Sequence, residues 1–490
     1  MTILIVVGAY LVVLLMIGVG SSRLSRGTSQ DYFVASRSIG PFLLVMSLFG
    51  TTMTAFALIG STGKAYTHGV GVYGLMASIS GLVHAAIFFA IGARVWALGK
   101  RHGHLTQVQL FRDRFQNERL GTWLFPVLVA LVIPYLLIGL MGAGITMQGV
   151  TRAAGIEGGV PPWLTAAVIS GVVYAYVFAG GLRAAAWANA FQTVVFIVVC
   201  LITFGTLAEA LGGAESASVA AKPARLIREG TFEPLHFISY VFIPLSVGMF
   251  PHLFQHWLTA KSGKTFKAPV VLHPMLIMVV WVPCVLIGVW ATGVLEVPPA
   301  KANAVLGIMV AKFTTPWMSG LITAGILAAI MSSLDSQFLC LGTMFTQDIA
   351  ARRAGGLDDT QSIRTARRFV GLIVLVTWLL SLVATRGIFD LGVWCFSGFA
   401  GLFPLIVAAL YWRRATAHGA MAGLIAAVLT WGGLFALSFG QPGELVVAGV
   451  TPAAWIVLAS TSALVTVSLM TEPPSEATLD RYFAPRGAGK

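Results

Sequence analysis

The oxygen atoms best placed to bind a cation lie in residues 328–336, near the middle of an apolar run from about 316 to 349. About 20 apolar residues already cross the roughly 30 Å hydrocarbon core of a bilayer, so this run predicts a membrane-spanning helix. Four of its residues follow helical spacing and share one face: Ala329, Ser332, Ser333 and Ser336. Three hydroxyls and one backbone carbonyl therefore lie along one stripe of a membrane helix.

A carboxylate lies in the same predicted helix. Of the 18 acidic residues in the chain, Asp335 is the only one that we place deep inside a membrane span. A charged carboxylate in hydrocarbon is costly unless it is paired, so such residues usually have a function. Asp335 is therefore a candidate for binding a cation or a proton.

The composition is that of a polytopic membrane protein. The 490 residues are 57% hydrophobic and only 10% charged, whereas soluble domains carry about a quarter charged residues. The net charge of +13 does not indicate nucleic-acid binding, because no polar segment is long enough to form a basic domain. The 4 cysteines lie in apolar runs without metal-site spacing. We expect a small organic substrate and the lipid bilayer as partners, whereas the oligomeric state is left open.

Apolar segments predict about 13 transmembrane helices. They cover residues 3–21, 41–66, 71–98, 122–149, 162–179, 186–210, 237–259, 269–295, 316–349, 367–385, 388–412, 418–438 and 446–470. The first has its arginines after it rather than before it, which indicates a retained helix and not a cleaved signal peptide. We expect a multi-pass cell-membrane protein with the N-terminus outside and the C-terminus in the cytoplasm. This orientation places 23 of the 31 Lys and Arg residues inside and 8 outside, as the positive-inside rule requires.

Two of these spans are poor continuous helices. The second contains Gly50 followed by three threonines within 51–54, and the seventh contains Pro244, Gly248 and Pro251. Non-helical backbone inside a membrane survives only where protein or a water-filled cavity satisfies it. The breaks lie five spans apart, which predicts two inverted five-helix repeats whose broken helices meet at a midplane site. Kinks needed only for packing would explain either break alone, but not their matching positions.

This organisation divides the chain into six segments. They are an N-terminal helix and loop (1–40), the first repeat (41–210), an extracellular loop (211–236), the second repeat (237–412), two C-terminal helices (413–471) and a cytoplasmic tail (472–490).

Motifs along most of the chain resemble the sodium:solute symporter family, which includes sodium/glucose, sodium/proline and sodium/pantothenate carriers. They lie at 29–37 (Ser-Gln-Asp-Tyr-Phe-Val-Ala-Ser-Arg), 180–184 (Gly-Gly-Leu-Arg-Ala), 329–333 (Ala-x-x-Ser-Ser), 345–349 (Phe-Thr-x-Asp-Ile) and 401–420 (Gly-x-x-Pro, then Tyr-Trp-Arg-Arg-x-Thr-x-x-Gly-Ala). The resemblance implies an all-α, LeuT-type fold with a 5+5 inverted-repeat core and discontinuous first and sixth core helices. It also implies sodium-coupled symport by alternating access rather than an enzymatic activity.

The resemblance further implies a sodium site. Its ligands would be the carbonyls of Gly50, Met53 and Ala329 and the hydroxyls of Ser332 and Ser333. Several oxygen ligands suit a hard cation. The alternative for the two serines is hydrogen bonding to the preceding helical turn, which is common for membrane Ser and Thr.

One position departs from the family pattern. Some relatives have an Asp after the double glycine that contributes to a second sodium site, and here the residue is Asn189. Asp335 and Ser336 match the opposite wall of that site. A second cation, a proton, or simple pairing of Asp335 with neighbouring hydroxyls remain open, and we expect one sodium per cycle.

The prediction of the substrate rests on residues that related carriers have and that the first broken helix of this chain lacks. Thr52 replaces the carboxylate of the proline carrier, and Phe56 and Ala57 replace a Glu-Gln pair of the sugar carriers. The local sequence is more similar to monocarboxylate and pantothenate permeases. Hydroxyls, half-helix N-termini and a histidine suit a small carboxylate, which Lys64 could attract. The substrate-binding candidates are Thr51, Thr52, Thr54, Phe56, His252, Gln255 and Trp394, with core packing or gating as the alternative for the last three.

We therefore expect a sodium-coupled symporter that imports a small carboxylate. The alternatives are a proton-coupled organic-acid permease and a transporter-like membrane sensor without transport. An intramembrane enzyme is not favoured, because the adjacent pair Asp358 and Asp359 lies in a basic loop and not in a metal-binding repeat.

Overall fold

The computed structural model describes residues 1–21, 23, 27–228, 230–384, 386–439 and 444–483. Parts of the predicted segments lie outside these residues, namely 22 and 24–26 in segment 1–40, 229 in the loop 211–236, 385 in the span 367–385, 440–443 in segment 413–471, and 484–490 in the tail. The described residues are helical, and their β-structure is limited to two isolated bridges. The all-α prediction is confirmed, whereas the division into six segments stays a prediction.

The α-helices follow one another in this order: α1 (Thr2–Ser21), α2 (Ser29–Val34), α3 (Pro41–Thr52), α4 (Ser61–His68), α5 (Gly71–Ile87), α6 (Ala93–His102), α7 (Gln107–Phe115), α8 (Glu118–Ala153), α9 (Pro162–Ala210), α10 (Ala214–Ala220), α11 (Pro223–Leu226), α12 (Pro234–Ser239), α13 (Pro251–Thr259), α14 (Lys267–Val294), α15 (Val305–Phe313), α16 (Pro316–Met344), α17 (Ala351–Arg353), α18 (Asp359–Ser381), α19 (Ile388–Tyr411), α20 (Ala417–Leu437), α21 (Pro452–Met470) and α22 (Glu476–Tyr482).

Within the described ranges, 9 helices are long and apolar enough to cross a membrane, and two bent pairs raise this number to 11. The predicted spans 162–179 and 186–210 both lie in α9, which has 49 residues and a break inside it. The predicted span 367–385 lies in α18, which has 23 residues. If α9 is counted as two spans and α18 is added, the number of spans rises from 11 to the predicted 13.

The two predicted helix breaks are confirmed. The first lies between α3 and the segment Phe56–His68, which bend by 56°. Met53 ends α3 with an extended backbone. The second break lies between Pro234–Gly248 and α13, which bend by 52°. Pro251 occupies the first turn of α13 after an extended Phe250, as expected because proline lacks the N–H that would continue a preceding helix.

The chain reverses inside α9 at Gly181, where φ is 56° and ψ is −142°. A residue with a side chain rarely adopts this backbone conformation. Tyr176 before the break and Asn189 after it hydrogen-bond to Asp335 and Ser336, which are adjacent on α16. The two halves of α9 therefore lie side by side against α16.

We expect Gly181→Ala to destabilise the protein, by about 1–3 kcal/mol from the backbone strain alone. A Cβ at this position would also lie 2.6 Å from the Tyr32 carbonyl oxygen. The measurement is the melting temperature of the purified protein in detergent. Gly171→Ala on the same helix is the control, because a Cβ there has nothing within 4 Å. Equal melting temperatures for the two variants would contradict the requirement for glycine at 181.

Candidate cation and substrate site

The first helix break meets α16 through one hydroxyl. Ser332 Oγ lies 2.8 Å from the carbonyl oxygen of Gly50 and 3.0 Å from that of Ala329, and it donates to both. Three of the five positions predicted for sodium are thus brought together, and all three are buried. The contact includes the hydrogen bond to the preceding turn that is the alternative role of this serine, and it adds a bond to a different helix.

Glycine at position 50 permits this contact. A Cβ there would lie 2.2 Å from Thr193 Oγ1 and 3.2 Å from Ser332 Oγ. Thr193 is on the second half of α9 and donates to the carbonyl of Met46 on α3. Because Gly50 has no side chain, α3 can approach both α9 and α16 at this depth.

The other two predicted sodium ligands lie beside this contact. Met53 is 1% exposed and has an extended backbone just after α3 ends. Ser333 Oγ accepts a hydrogen bond of 2.7 Å from Gln337 Nε2. Of the hydrogen bonds seen in the described part of the chain, none joins Met53 or Ser333 to Ser332 Oγ.

A second polar cluster surrounds Ser336, one helical turn along α16. Its hydroxyl lies 3.0 Å from Thr51 Oγ1, 3.0 Å from Asn189 Nδ2 and 2.9 Å from His256 Nε2. Ser336 Oγ also lies 2.9 Å from Asp335 Oδ1. The structure therefore brings together Asn189, Asp335 and Ser336, the three residues predicted for a second cation or a proton.

Both oxygens of Asp335 have a hydrogen-bond donor. Ser336 Oγ donates to Oδ1, and Tyr176 Oη donates to Oδ2 at 2.9 Å. The sequence analysis did not select Tyr176, although a tyrosine in an apolar span shortly before the double glycine is a signal that could have identified it. These bonds favour the pairing of Asp335 with neighbouring hydroxyls.

A small cavity of about 50 Å³ lies beside the first break. Its wall is formed by Thr52, Met53, Phe56, Met76, Ser80, His84, Tyr135, Tyr240, Ile243, Pro244, Ser246, Val247, Phe250, Trp281 and Phe396. The cavity is thus bounded by both broken helices, as an inverted-repeat transporter requires. Two of the predicted substrate residues, Thr52 and Phe56, line it.

His252 lies next to this wall. It is 1% exposed, and neither ring nitrogen has a hydrogen-bond partner among the described residues. The ring packs on Phe250 and Tyr135, with centroid distances of 5.2 and 5.5 Å, and both of these rings line the cavity. His252 is in the first turn of α13, so its unpartnered imidazole lies at the N-terminus of that helix.

The structure does not bring the other predicted substrate residues to the cavity wall. Thr51 contacts Ser336, and Thr54 Oγ1 accepts the N–H of Phe56 at 3.1 Å. Gln255 Nε2 donates to the Phe33 carbonyl at 2.7 Å and to Thr343 Oγ1 at 2.8 Å. The Trp394 ring packs edge-on against Phe435, with a centroid distance of 5.3 Å.

Six polar side chains of the wall were not predicted from the sequence, and the three with a ring nitrogen or an unpartnered hydroxyl are His84, Tyr240 and Trp281. Each lies within a predicted span, at 71–98, 237–259 and 269–295. In the sequence, the signal for each of these residues is an isolated polar side chain within an apolar span. The sequence pattern does not tell which face of the helix that residue occupies, so these three could not be separated from tyrosines and tryptophans that face lipid.

A buried charged cluster is centred on Glu444. Lys64 Nζ lies 3.3 Å from Glu444 Oε2, and His236 Nε2 lies 3.5 Å from Oε1. Lys64 also lies 4.8 Å from the centre of the Phe389 ring, which stacks on Phe56 of the cavity wall. Lys64, which was expected to attract anions, is therefore paired with a carboxylate.

A second set of contacts is centred on Arg37. Its guanidinium donates to the carbonyls of Leu258, Gly99 and His104, at 3.1, 3.0 and 2.8 Å. Arg183 pairs with Asp31. The motif 29–37 therefore joins the segment before α3 to α6, α9 and α13.

A fold in which two interrupted helices meet at a polar site beside a cavity defines a class: secondary membrane transporters of the LeuT fold. The structure resembles a substrate-bound, outward-open Na⁺-coupled sialic acid symporter, with a TM-score of 0.75 and 17% identity over 97% of this chain and 99% of that one. It also resembles Mhp1, a nucleobase-cation-symport-1 family transporter, in a closed conformation, with a TM-score of 0.60 and 16% identity over 92% and 97% of the two chains.

Sequence comparisons define the family. The sodium/pantothenate symporter of Escherichia coli is 27% identical over 435 residues, which are 85% of this chain and 87% of that protein. The sodium/proline symporter of the same organism is 25% identical over 450 residues, which are 86% and 85%. The model of the sodium:solute symporter family matches residues 32–427. The chain belongs to the sodium:solute symporter family, and it is therefore a multi-pass membrane transporter and not an enzyme.

We expect Glu444→Gln to release the segment 444–451. Burial raises the pKa of the Glu444 carboxyl, but His236 and Lys64 lower it more, so its net pKa is below the ordinary 4.5. The ion pair therefore stabilises this segment above pH 4.5 and is lost as the pH falls through the lowered pKa.

Hydrogen–deuterium exchange of residues 444–451 is the measurement. At neutral pH we expect about tenfold faster exchange in Glu444→Gln than in the native chain, because Lys64 loses its partner. The control is Glu215→Gln, at an exposed carboxylate of α10. Exchange as slow in Glu444→Gln as in the control would show that the ion pair does not hold the segment.

Proposed function

We propose that this protein is a sodium-coupled symporter that imports a small organic carboxylate by alternating access. The observation that carries the proposal is the contact of Ser332 with the carbonyl oxygens of Gly50 and Ala329, where the broken α3 meets α16. The N-terminus is outside and the C-terminus in the cytoplasm, as the distribution of Lys and Arg favours.

The transported sodium is bound by the carbonyls of Gly50, Met53 and Ala329 and by the hydroxyls of Ser332 and Ser333. Ser332 Oγ already lies 2.8 Å from the carbonyl oxygen of Gly50 and 3.0 Å from that of Ala329. Rotation of the Ser332 hydroxyl would direct a lone pair, rather than its hydrogen, towards the other two. A group of oxygen atoms from two carbonyls and a hydroxyl is the kind of ligand set that a hard cation prefers.

The carboxylate substrate is favoured by the surroundings of the cavity. The first turn of α13 has no side-chain cap, so its backbone N–H groups and helix dipole favour an anion. His252 in this turn has ring nitrogens without partners in the described chain. None of the described residues that line the cavity is Asp or Glu, so an amino group would find no counter-ion among them.

Alternating access needs one gate on each side of the substrate site. The cluster of Lys64, Glu444 and His236 would be the outer gate, and the contacts of Arg37 the inner gate. Sodium drives the cycle only if it binds the outward-open state more tightly than the inward-open state, because equal binding shifts no equilibrium. Asp335 is satisfied by Tyr176 and Ser336, so we assign one sodium to each cycle.

Replacing Ser332 and Ser333 together by alanine should abolish sodium-stimulated uptake, since two of the five sodium ligands are lost. The measurements are ²²Na⁺ binding to the purified protein and uptake of radiolabelled acetate, propionate, lactate, pyruvate and pantothenate into proteoliposomes. The control is Ser397→Ala, because Ser397 is a buried serine of α19 that bonds only the preceding turn. Unchanged sodium dependence in the double variant would refute the site.

Uptake should not respond to an imposed membrane potential. One sodium and one monoanion carry no net charge, so the potential supplies none of the about 2.3 kcal/mol per charge per 100 mV. The measurement is proteoliposome uptake with and without a potassium diffusion potential, with the sodium stoichiometry determined alongside. Acceleration by an inside-negative potential at one sodium per substrate would identify a neutral substrate. Uptake driven by a pH gradient in sodium-free buffer would identify a proton-coupled permease.

A further inference from the structure

Two hydrogen-bond donors in the cavity wall have no partner. Tyr240 Oη and Trp281 Nε1 are buried and make no hydrogen bond with any described residue. Their side chains are 2% and 7% exposed, and both line the cavity beside the first break. An unpaired buried polar group costs about 1–3 kcal/mol, so these two groups need a hydrogen-bond acceptor that the protein does not supply.

Three other polar side chains of the wall differ from these two. Thr52 Oγ1 donates to the carbonyls of Leu48 and Phe49, and Ser80 Oγ donates to that of Met76. His84 Nδ1 lies 3.1 Å from His273 Nε2. Each of these three has a partner within the protein, and among the described wall residues Tyr240 Oη and Trp281 Nε1 are the fully buried polar atoms without one.

The chemistry of these two groups selects the ligand. The indole N–H is a donor only, and a phenol hydroxyl offers its hydrogen to the stronger acceptor. A carboxylate has two acceptor oxygens and no donor, and its hydrogen bonds are charge-assisted. An amide has a single acceptor oxygen, which the two donors would have to share, and its hydrogen bonds are not charge-assisted.

The size of the cavity limits the length of the ligand. Its volume is about 50 Å³, and one water needs about 10–15 Å³ on the same measure. The cavity therefore accommodates roughly three to five waters, or a ligand of about four to six non-hydrogen atoms. A short monocarboxylate fits these limits, whereas pantothenate is much longer.

We propose that Tyr240 and Trp281 form a carboxylate subsite and that the subsite takes a short monocarboxylate of the size of propionate or lactate. This inference rests on the proposed function, because it specifies the substrate class of the same cavity. It assigns recognition to the phenol of the second broken helix and the indole of α14, and not to the threonines of the first broken helix.

The test is equilibrium binding of [¹⁴C]propionate and [¹⁴C]lactate to the full-length protein in detergent, in sodium and in choline. We expect Tyr240→Phe and Trp281→Phe each to weaken binding about tenfold or more, because each removes one hydrogen bond to a charged group. Propionamide, which has the same shape and no charge, should compete at least about tenfold more weakly than unlabelled propionate.

Two variants serve as matched controls, because each also removes the polar group of an aromatic side chain. Trp290→Phe is on the same helix as Trp281, and its Nε1 donates to Ser218 Oγ. Tyr66→Phe removes a hydroxyl that donates to the Leu295 carbonyl. Both variants should bind the two probes within about twofold of the native protein.

Three results would overturn the subsite. They are failure of the native protein to bind either probe, binding by the Tyr240 and Trp281 variants that equals the controls, and competition by propionamide equal to that by propionate. None of these results concerns sodium. Sodium-independent carboxylate binding would instead leave the subsite standing and contradict the proposed coupling, so the two failures are distinguishable.

Discussion

Backbone that leaves a helix inside a membrane must find hydrogen-bond partners within the protein, because hydrocarbon offers none. At the end of α3 the carbonyl of Gly50 receives the hydroxyl of Ser332 from α16. Glycine at position 50 favours this bond, since a Cβ there would clash with Thr193 Oγ1 and crowd Ser332 Oγ. One glycine therefore permits both the approach of three helices and the convergence of oxygen atoms that the proposed sodium site uses.

The same constraint explains why polar residues cross the middle of the bundle. Thr51, Asn189 and Ser336 belong to α3, α9 and α16, and their side chains form a connected cluster. In a bilayer, apolar packing alone distinguishes poorly between helix partners, because lipid tails are as apolar as leucine, and hydrogen bonds help to specify which helices meet. This cluster joins the predicted first repeat to the second at the depth where a transporter must hold its cargo and yet allow the repeats to move.

Much of this arrangement could be predicted from the sequence, because glycine and proline in apolar runs have few explanations. The breaks at 49–54 and 244–251 followed from such signals, whereas the role of Ser332 at the broken helix was implied by the family resemblance. The direction in which each side chain points could not be predicted from these signals. Gln255 and Trp394 have suitable chemistry but contact Phe33 and Phe435, whereas Tyr240 and Trp281 line the cavity and were missed. Which face of an apolar helix points inward depends on packing that hydropathy does not record.

The account as a whole depends on the cation being held where α3 is interrupted. The most direct test is a pair of high-resolution cryo-electron microscopy maps, one in sodium and one in choline. In sodium we predict density between the Gly50 and Ala329 carbonyls, with the Ser332 hydroxyl turned to coordinate it, and in choline the hydrogen bond from Ser332 to Gly50. The same Ser332 hydrogen bonds in both maps, with no density between these oxygens, would contradict the account.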